Sequence, residues 1–566
     1  MQNKLSSHIS EIIKSLFDVD VQVEIARPDP QFGDFATNVA LTLVSKLNKN
    51  PREIAEQISD KLNDSEAVES VSVAGPGFIN IKLKSSFLWD LASSELPQIY
   101  KNQNWVIEYS CPNAFKELHT GHLYNTLLGD SIAKIFEAAG AKVNRTSFGG
   151  DVGRHVARAM WGILDYLGGE DPLKLNDISE DPIERAQFIS NCYVQGASAD
   201  KEDQAMEAIT KLNKQVYQIQ NGEISADDPL VQIYFTCRQW SFDYFSAFYL
   251  KLKVDEMRYY PESTVMDLGV TKVREGLKAG IFKQSDGAII FEGGEELNNH
   301  TRVFINSEGL PTYEAKDVGV IFQEIEDYNF DQRLLLTGND QKEYMQVVFA
   351  AVTQMEPKLK GKNHHLANGT VKFSDGKKMS SRLGNVTRAV EVLDAVEQKV
   401  IEANEAQDAQ SVQKIQLGAI KYEFLKYRVG SDINFDVQES VSLNGNSGPY
   451  LQYAYARARA ILRKAESFKS INLSSDSDIQ FDDNERLFVL KLSEWGEAFS
   501  SAAQQTMPHH IANYLYSLAQ EFNRFYEKSR IIGDERELIR LSLVKRYADI
   551  LSSGLALLGL EVMEEM

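Results

Sequence analysis

With 566 residues the chain exceeds one ordinary domain and predicts two to four. Its 43% hydrophobic and 25% charged residues suit a globular chain with sizeable cores, and a net charge of -21 argues against a general nucleic-acid coat while permitting local patches that grip one RNA. The three cysteines (Cys111, Cys192, Cys237) form no CxxC pair and support neither a disulfide framework nor a cysteine zinc site.

The opening MQNKLSSHISEIIKSLF has apolar residues at helical spacing and no continuous apolar core. It reads as neither a signal peptide nor a membrane span, and a cytoplasmic location is the default expectation. Residues 1–95 read as a small α+β unit. The opening helix leads to the β-like VQVEIA and the turn-rich RPDPQFGDFATN. Helices follow through VALTLVSKL and after NKNPRE, then the strands VESVSV and FINIKL around the turn AGPG.

Residues 96–395 change pattern. WVIEYS is a short β-rich run. LYNTLLGDSIAKIFEAAG carries Leu123, Leu127, Leu128, Ile132, Ile135 and Phe136 on one helical stripe and ends in glycine. KVNRTSF reads as the next strand, which makes a βαβ unit of a parallel, Rossmann-like nucleotide-binding sheet. The polar, charge-rich stretch at about 170–250 reads as a helical insertion. TRVFI and RLLLTG then read as strands of a second α/β half, with QKEYMQVVFAAVTQM as an amphipathic helix. Residues 396–566 read as a nearly all-helical domain with a stripe of Tyr, Phe and Leu.

SCPNAFKELHTGHL, residues 110–123, stands where the first strand hands over to its helix. His119 and His122 could hold a metal, hold a phosphate or simply pack. Their spacing brings the two imidazoles together only if both are helical, and no HExxH or cysteine set completes a zinc site. A helix N-terminus, however, presents unpaired N–H groups and a positive dipole end. Gly121 lets a phosphate or flat ring approach the backbone. A second basic motif, VKFSDGKKMSSRLGNV at 371–386, is suited to close over a triphosphate, where catalysis is mostly positioning and charge stabilisation.

Together HTGH and KMSSR resemble the HIGH and KMSKS motifs of class I aminoacyl-tRNA synthetases. Within that class the chain is similar to the arginyl-tRNA synthetase family over essentially its whole length. The runs that carry the resemblance are FGDFATN, AGPGFIN, YSCPNAFKELHTGHL, TYEAKDVG, NGNSGPYLQYAYARARAILRKA and LAQEFNRFYEKSRII. The resemblance implies an N-terminal α+β domain that contacts tRNA, a Rossmann-like catalytic domain and an all-α anticodon-binding domain. It implies ATP with Mg²⁺, L-arginine and tRNA(Arg) as substrates, no protein-bound zinc, no membrane association and a monomer. His119, His122, Lys116 and Lys378 are the implied catalytic residues, with Gly121, Lys377, Met379 and Ser380 also at ATP. Ser381 stands where KMSKS has its second lysine, and Lys116 is the residue implied to compensate. Tyr124 follows HTGHL where arginine is usual.

A guanidinium ligand calls for carboxylates in paired geometry. The resemblance implies Glu262, Tyr313, Asp317 and Gln346 around the arginine side chain, and Ser110 and Asn113 at its α-amino or carboxylate group. Phe35, Asn38, Tyr450, Tyr453, Arg457, Tyr514, Tyr526 and Met566 are the candidate tRNA contacts, although aromatic residues at helical spacing are more often core. The competing readings are a class I synthetase for another amino acid, a free-standing HxGH nucleotidyltransferase and a non-catalytic RNA-binding paralogue.

Overall fold

The structure is a computed structural model and describes residues 2–294, 297, 300–373, 387–403, 408–465 and 479–566. The N-terminal unit is an antiparallel sheet of β1 (Phe35–Thr37), β2 (Val68–Ala74) and β3 (Phe78–Leu83) in the order β1-β3-β2. Helices Gln2–Phe17, Val39–Leu47 and Pro51–Asn63 complete its core, where Ile9, Ile13, Leu43, Ile54, Ile58, Ile79 and Ile81 are fully buried. The third helix starts where expected: Asn50 caps it by accepting from the Arg52 N–H at 2.9 Å, and Pro51 fits its first turn. Two expectations change. VQVEIA is not a strand and supplies an isolated bridge, Ala26 to Ala36; Pro28 and Pro30, which lack N–H groups, keep that pairing from extending past it. The stretch read as a turn contains β1.

The central sheet is parallel throughout. It comprises β4 (Asn104–Glu108), β5 (Lys142–Gly149), β6 (Arg258–Pro261), β10 (Gln332–Gly338) and β11 (Asn363–Asn368), in the order β11-β10-β4-β5-β6. Strand order runs outward in both directions from the β10/β4 pair, so the topological switch point lies there. In open parallel sheets the ligand crevice forms at the carboxyl ends of the strands flanking that point. TRVFI does not join this sheet. It is β9 (Thr301–Ile305) of a small antiparallel sheet with β7 (Lys283–Ser285) and β8 (Ala288–Glu292). The two-residue turn Asp286–Gly287, with φ of 48° and 81°, makes β7 and β8 a hairpin, and β9 pairs antiparallel with β8.

The insertion is helical: Pro182–Ala199, Asp203–Gln220 and Pro229–Leu252. The C-terminal region packs helices Ala409–Leu425, Gly448–Lys464, Asp483–Ser493, Trp495–Gln505, His509–Lys528 and Glu537–Leu557. Phe488 stacks on Phe525, and Phe522 on Tyr547, in its core. It is not purely helical, since β13 (Ile433–Phe435) pairs in parallel with β12 (Val371–Phe373). Polar links join the three parts. Arg27 forks onto Glu497, and Arg486 donates to the buried Asp34. In the middle of helix Thr120–Ala138, Ser131 donates to the Leu557 carbonyl at 2.9 Å.

Candidate active site

The loop leaving β4 is held under backbone strain. Ser110, Cys111 and Phe115 have φ of 70°, 48° and 63°, a region that costs a non-glycine residue about 1 kcal/mol or more. The surroundings hold it there. The Ser110 N–H donates to Asn125 Oδ1 at 2.5 Å and the Ala114 N–H to the Gly150 carbonyl at 2.8 Å. Asn113 Oδ1 accepts from the Gly150 N–H at 2.9 Å. The insertion adds three ties from helix Pro229–Leu252. Ser241 Oγ accepts from the Phe115 N–H (3.0 Å), Tyr244 OH accepts from the Leu118 N–H (3.2 Å), and Tyr249 OH bonds Ser110 Oγ (2.7 Å). The insertion therefore buttresses the signature loop.

The loop ends at helix Thr120–Ala138, whose N-cap is His119. The two histidines meet although His119 is extended, with φ -102° and ψ 172°; the helix cap, not shared helical geometry, brings the rings to 3.7 Å between centroids. His119 Nδ1 accepts from the N–H groups of Gly121 (3.0 Å) and His122 (3.3 Å). His122 Nδ1 accepts from the His119 N–H at 3.2 Å. This is a capping box made of imidazoles. Because both Nδ1 atoms are acceptors, the proton of each neutral ring sits on Nε2. Burial lowers the pKa of both rings, with neighbouring Lys116 adding to it, so they stay neutral and each keeps an Nε2–H to donate. Gly121 is required here, since a Cβ would lie 2.8 Å from His119 Cε1.

Lys377, Lys378, Met379 and Ser380 lie outside the described residues. The chain that follows them is tied to the histidine turn. The Thr387 carbonyl accepts from both the N–H (3.0 Å) and the hydroxyl (2.8 Å) of Thr120, and the Ala389 N–H donates to the Leu118 carbonyl at 2.9 Å. Lys116 Nζ stands 4.3 Å from the ring centroid of Tyr193 in the insertion.

A cavity of about 650 Å³ opens at the β4/β10 switch point. His119, Gly121 and His122 line one part of it, Ser110 and Asn113 the strained loop side, and Glu108, Tyr313, Asp317, Gln341 and Tyr344 another. Asp317 is bonded by the hydroxyl of Tyr344, and its burial raises its pKa to about 7. Glu262 is buried against Lys316 at 2.6 Å and is not among the lining residues. Gln346 is exposed and does not line the cavity either; Gln341, on the 3-10 turn Asn339–Gln341, does. The expected set is thus brought together at Ser110, Asn113, Tyr313 and Asp317, while Glu262 and Gln346 stand apart from the cavity. The lining thus combines hydrogen-bond donors suited to phosphate, from the histidine turn, with an acidic floor of Glu108, Glu314 and Asp317, and it includes Arg302.

The description "tRNA synthetases class I (R), catalytic domain" matches residues 89–437, "Arginyl tRNA synthetase N terminal domain" residues 2–83, and "DALR anticodon binding domain" residues 451–566. The chain belongs to the arginyl-tRNA synthetases. It is 30% identical to an arginine–tRNA ligase of Thermobifida fusca, over 96% of this chain and 95% of that one. Identity to one of Porphyromonas gingivalis is 27%, over 100% and 99% of the two chains. Among solved structures, the Thermus thermophilus arginyl-tRNA synthetase superposes with a TM-score of 0.81 at 25% identity, covering both chains fully. An arginyl-tRNA synthetase from Plasmodium falciparum shares the fold, with a TM-score of 0.78 at 21% identity.

The tRNA contacts expected for an arginyl-tRNA synthetase divide by exposure. Phe35 is buried in the N-terminal core beneath the Arg27 guanidinium, so it is not a surface contact. Tyr514 is likewise core: it stacks on Trp495 and donates to the Lys491 carbonyl. Asn38, Tyr453 and Tyr526 are exposed, and Arg457 lies over the Tyr526 ring at 4.5 Å. Tyr450 is half-buried and accepts from Asn523, and Met566 packs on the helical core. Tyr124 is fully buried against Phe424, a packing role between the catalytic sheet and the helical region. Sequence reasoning missed Glu108, Gln341, Tyr344 and Arg333. Charged residues inside the apolar runs WVIEYS and RLLLTG were the available signal.

Proposed function

We propose that the chain joins L-arginine to tRNA(Arg) in two steps. In the first, an arginine carboxylate oxygen attacks the α-phosphorus of ATP, the bond to the β-phosphate breaks, and pyrophosphate leaves with its Mg²⁺. In the second, a terminal ribose hydroxyl of the tRNA attacks the arginyl carbonyl, and AMP leaves. The carrying observation is the presence, in one cavity, of the two Nε2–H donors of His119 and His122 and the half-buried carboxylate of Asp317.

Each group has a task that its environment supports. The neutral imidazoles and the N-terminus of helix Thr120–Ala138 receive the phosphate charge that grows at the transition state. Lys116 and Lys378 offset the remainder. Asp317 pairs with the guanidinium, with Tyr313, Tyr344 and Gln341 around it. Ser110 and Asn113 orient the α-amino and carboxylate groups. Lysine lacks the planar fork of donors and leaves buried oxygens unpaired, which discriminates against it. Exposed Tyr453, Tyr526 and Asn38, together with Arg457, contact tRNA.

The test is aminoacylation of total tRNA with each amino acid in turn. Charging with arginine alone is expected; no charging with arginine overturns the reading.

A further inference from the structure

We propose that Glu108 is a specificity-determining residue, holding surplus negative charge in the cavity that selects an amino-acid side chain ending in a cation. The inference rests on the arginine reading of the same cavity and adds a residue to it. Glu108 ends β4, is buried, and lines the cavity. Its Oε2 accepts from Arg333 Nη2 across the β4/β10 pair. Arg333 is shared: its Nε donates to Glu324 at 2.6 Å, and Glu324 also takes the Thr146 hydroxyl at 2.6 Å. Among the described residues, the other oxygen of Glu108 accepts from the Cys111 thiol alone, a weak donor, at 3.7 Å.

One guanidinium therefore serves two carboxylates, and a third, Asp317, is bonded by a neutral phenol. Lys316 pairs with Glu262 at 2.6 Å, and neither lines the cavity; Arg302 does line it, and stands 3.7 Å from a further lining carboxylate, Glu314. Burying an uncompensated carboxylate is unfavourable, and a cation brought into the cavity removes that penalty. A neutral side chain of the same shape does not. The alternative role of Glu108 is that of an anchor tying β4 to β10 through Arg333.

Glu108→Gln separates the two roles, because the amide keeps an acceptor for Arg333 and removes only the charge. With tRNA present, pyrophosphate exchange should show the arginine KM raised at least tenfold and the ATP KM within twofold of wild type. The preference for arginine over citrulline, its neutral isostere, as an inhibitor of exchange should shrink at least tenfold. The melting temperature should hold or rise. Glu108→Asp, which keeps the charge, should stay within threefold of wild type in arginine KM. An arginine KM within twofold of wild type in Glu108→Gln overturns the inference, as does a Glu108→Gln protein that fails to fold while Glu108→Asp folds. If the wild-type chain itself charges no arginine, the underlying functional reading fails instead.

Discussion

The N–H and the hydroxyl of Thr120 both donate to the Thr387 carbonyl, at 3.0 and 2.8 Å. Residue 120 lies inside HTGH, and residue 387 stands five residues after Arg382, the end of KMSSR. The histidine turn is thus bonded to the chain that follows KMSSR. Thr120→Val keeps the shape and loses the side-chain bond, worth about 1 kcal/mol. Adenylate formation should slow about fivefold, with the arginine KM unchanged. A drop confined to arginine binding would refute the link.

His122→Ala removes one Nε2–H donor and half of the imidazole capping box. Adenylate formation should fall on the order of 10²- to 10³-fold, as when one preorganised donor to developing charge is lost. The dissociation constant for tRNA should move less than twofold. Equal losses in both measurements would assign His122 a structural role.

Arginine affinity should depend on pH through the acidic floor. Burial raises the pKa of Asp317 to about 7 and raises that of Glu108 as well. Their proton-free forms attract the guanidinium, which stays charged throughout, so the arginine KM should fall as pH rises from 6 toward 8. Stability without ligand has the opposite sign. Both acids bind protons more tightly folded than unfolded, where carboxylates titrate near about 4. Their contribution is full below that value and is lost as pH rises through the folded pKa. Thermal melts between pH 5.5 and 8.5 should show the ligand-free protein weakening and arginine stabilising it increasingly. A stabilising increment from arginine that shrinks with pH would contradict the assignment.

Tyr249 reaches from the insertion to Ser110 with a 2.7 Å bond, at a residue whose φ is 70°. Tyr249→Phe loses one buried hydrogen bond and should raise the arginine KM about three- to tenfold. ATP binding should stay within twofold. Steady-state kinetics with each substrate varied in turn checks it.

HTGH was legible because everything it needs is local: a cap, a glycine and a helix start within four residues. The acidic floor was not. Glu108 and Arg333 lie 225 residues apart and meet only because β10 pairs beside β4, a register that one sequence does not announce. Gln346 looked suitable because it stands on a well-formed helix. The residue facing the cavity is Gln341, on the short turn before that helix, where periodicity carries no signal. Tyr450, Tyr453, Tyr514 and Tyr526 illustrate a further limit. Stripes of aromatic residues mark a helix face, and packing decides which of them stays exposed.

Helix Thr120–Ala138 starts at the histidines and is bonded at Ser131 to Leu557, near the end of the C-terminal helix. Ser131 is nine helical steps beyond His122, a span of about 14 Å at helical rise. A helix of that length is stiff, so it transmits displacement as a push rod does and absorbs little of it by bending. Any shift of the C-terminal helix by bound RNA must either break the Ser131 contact or carry the imidazole pair with it.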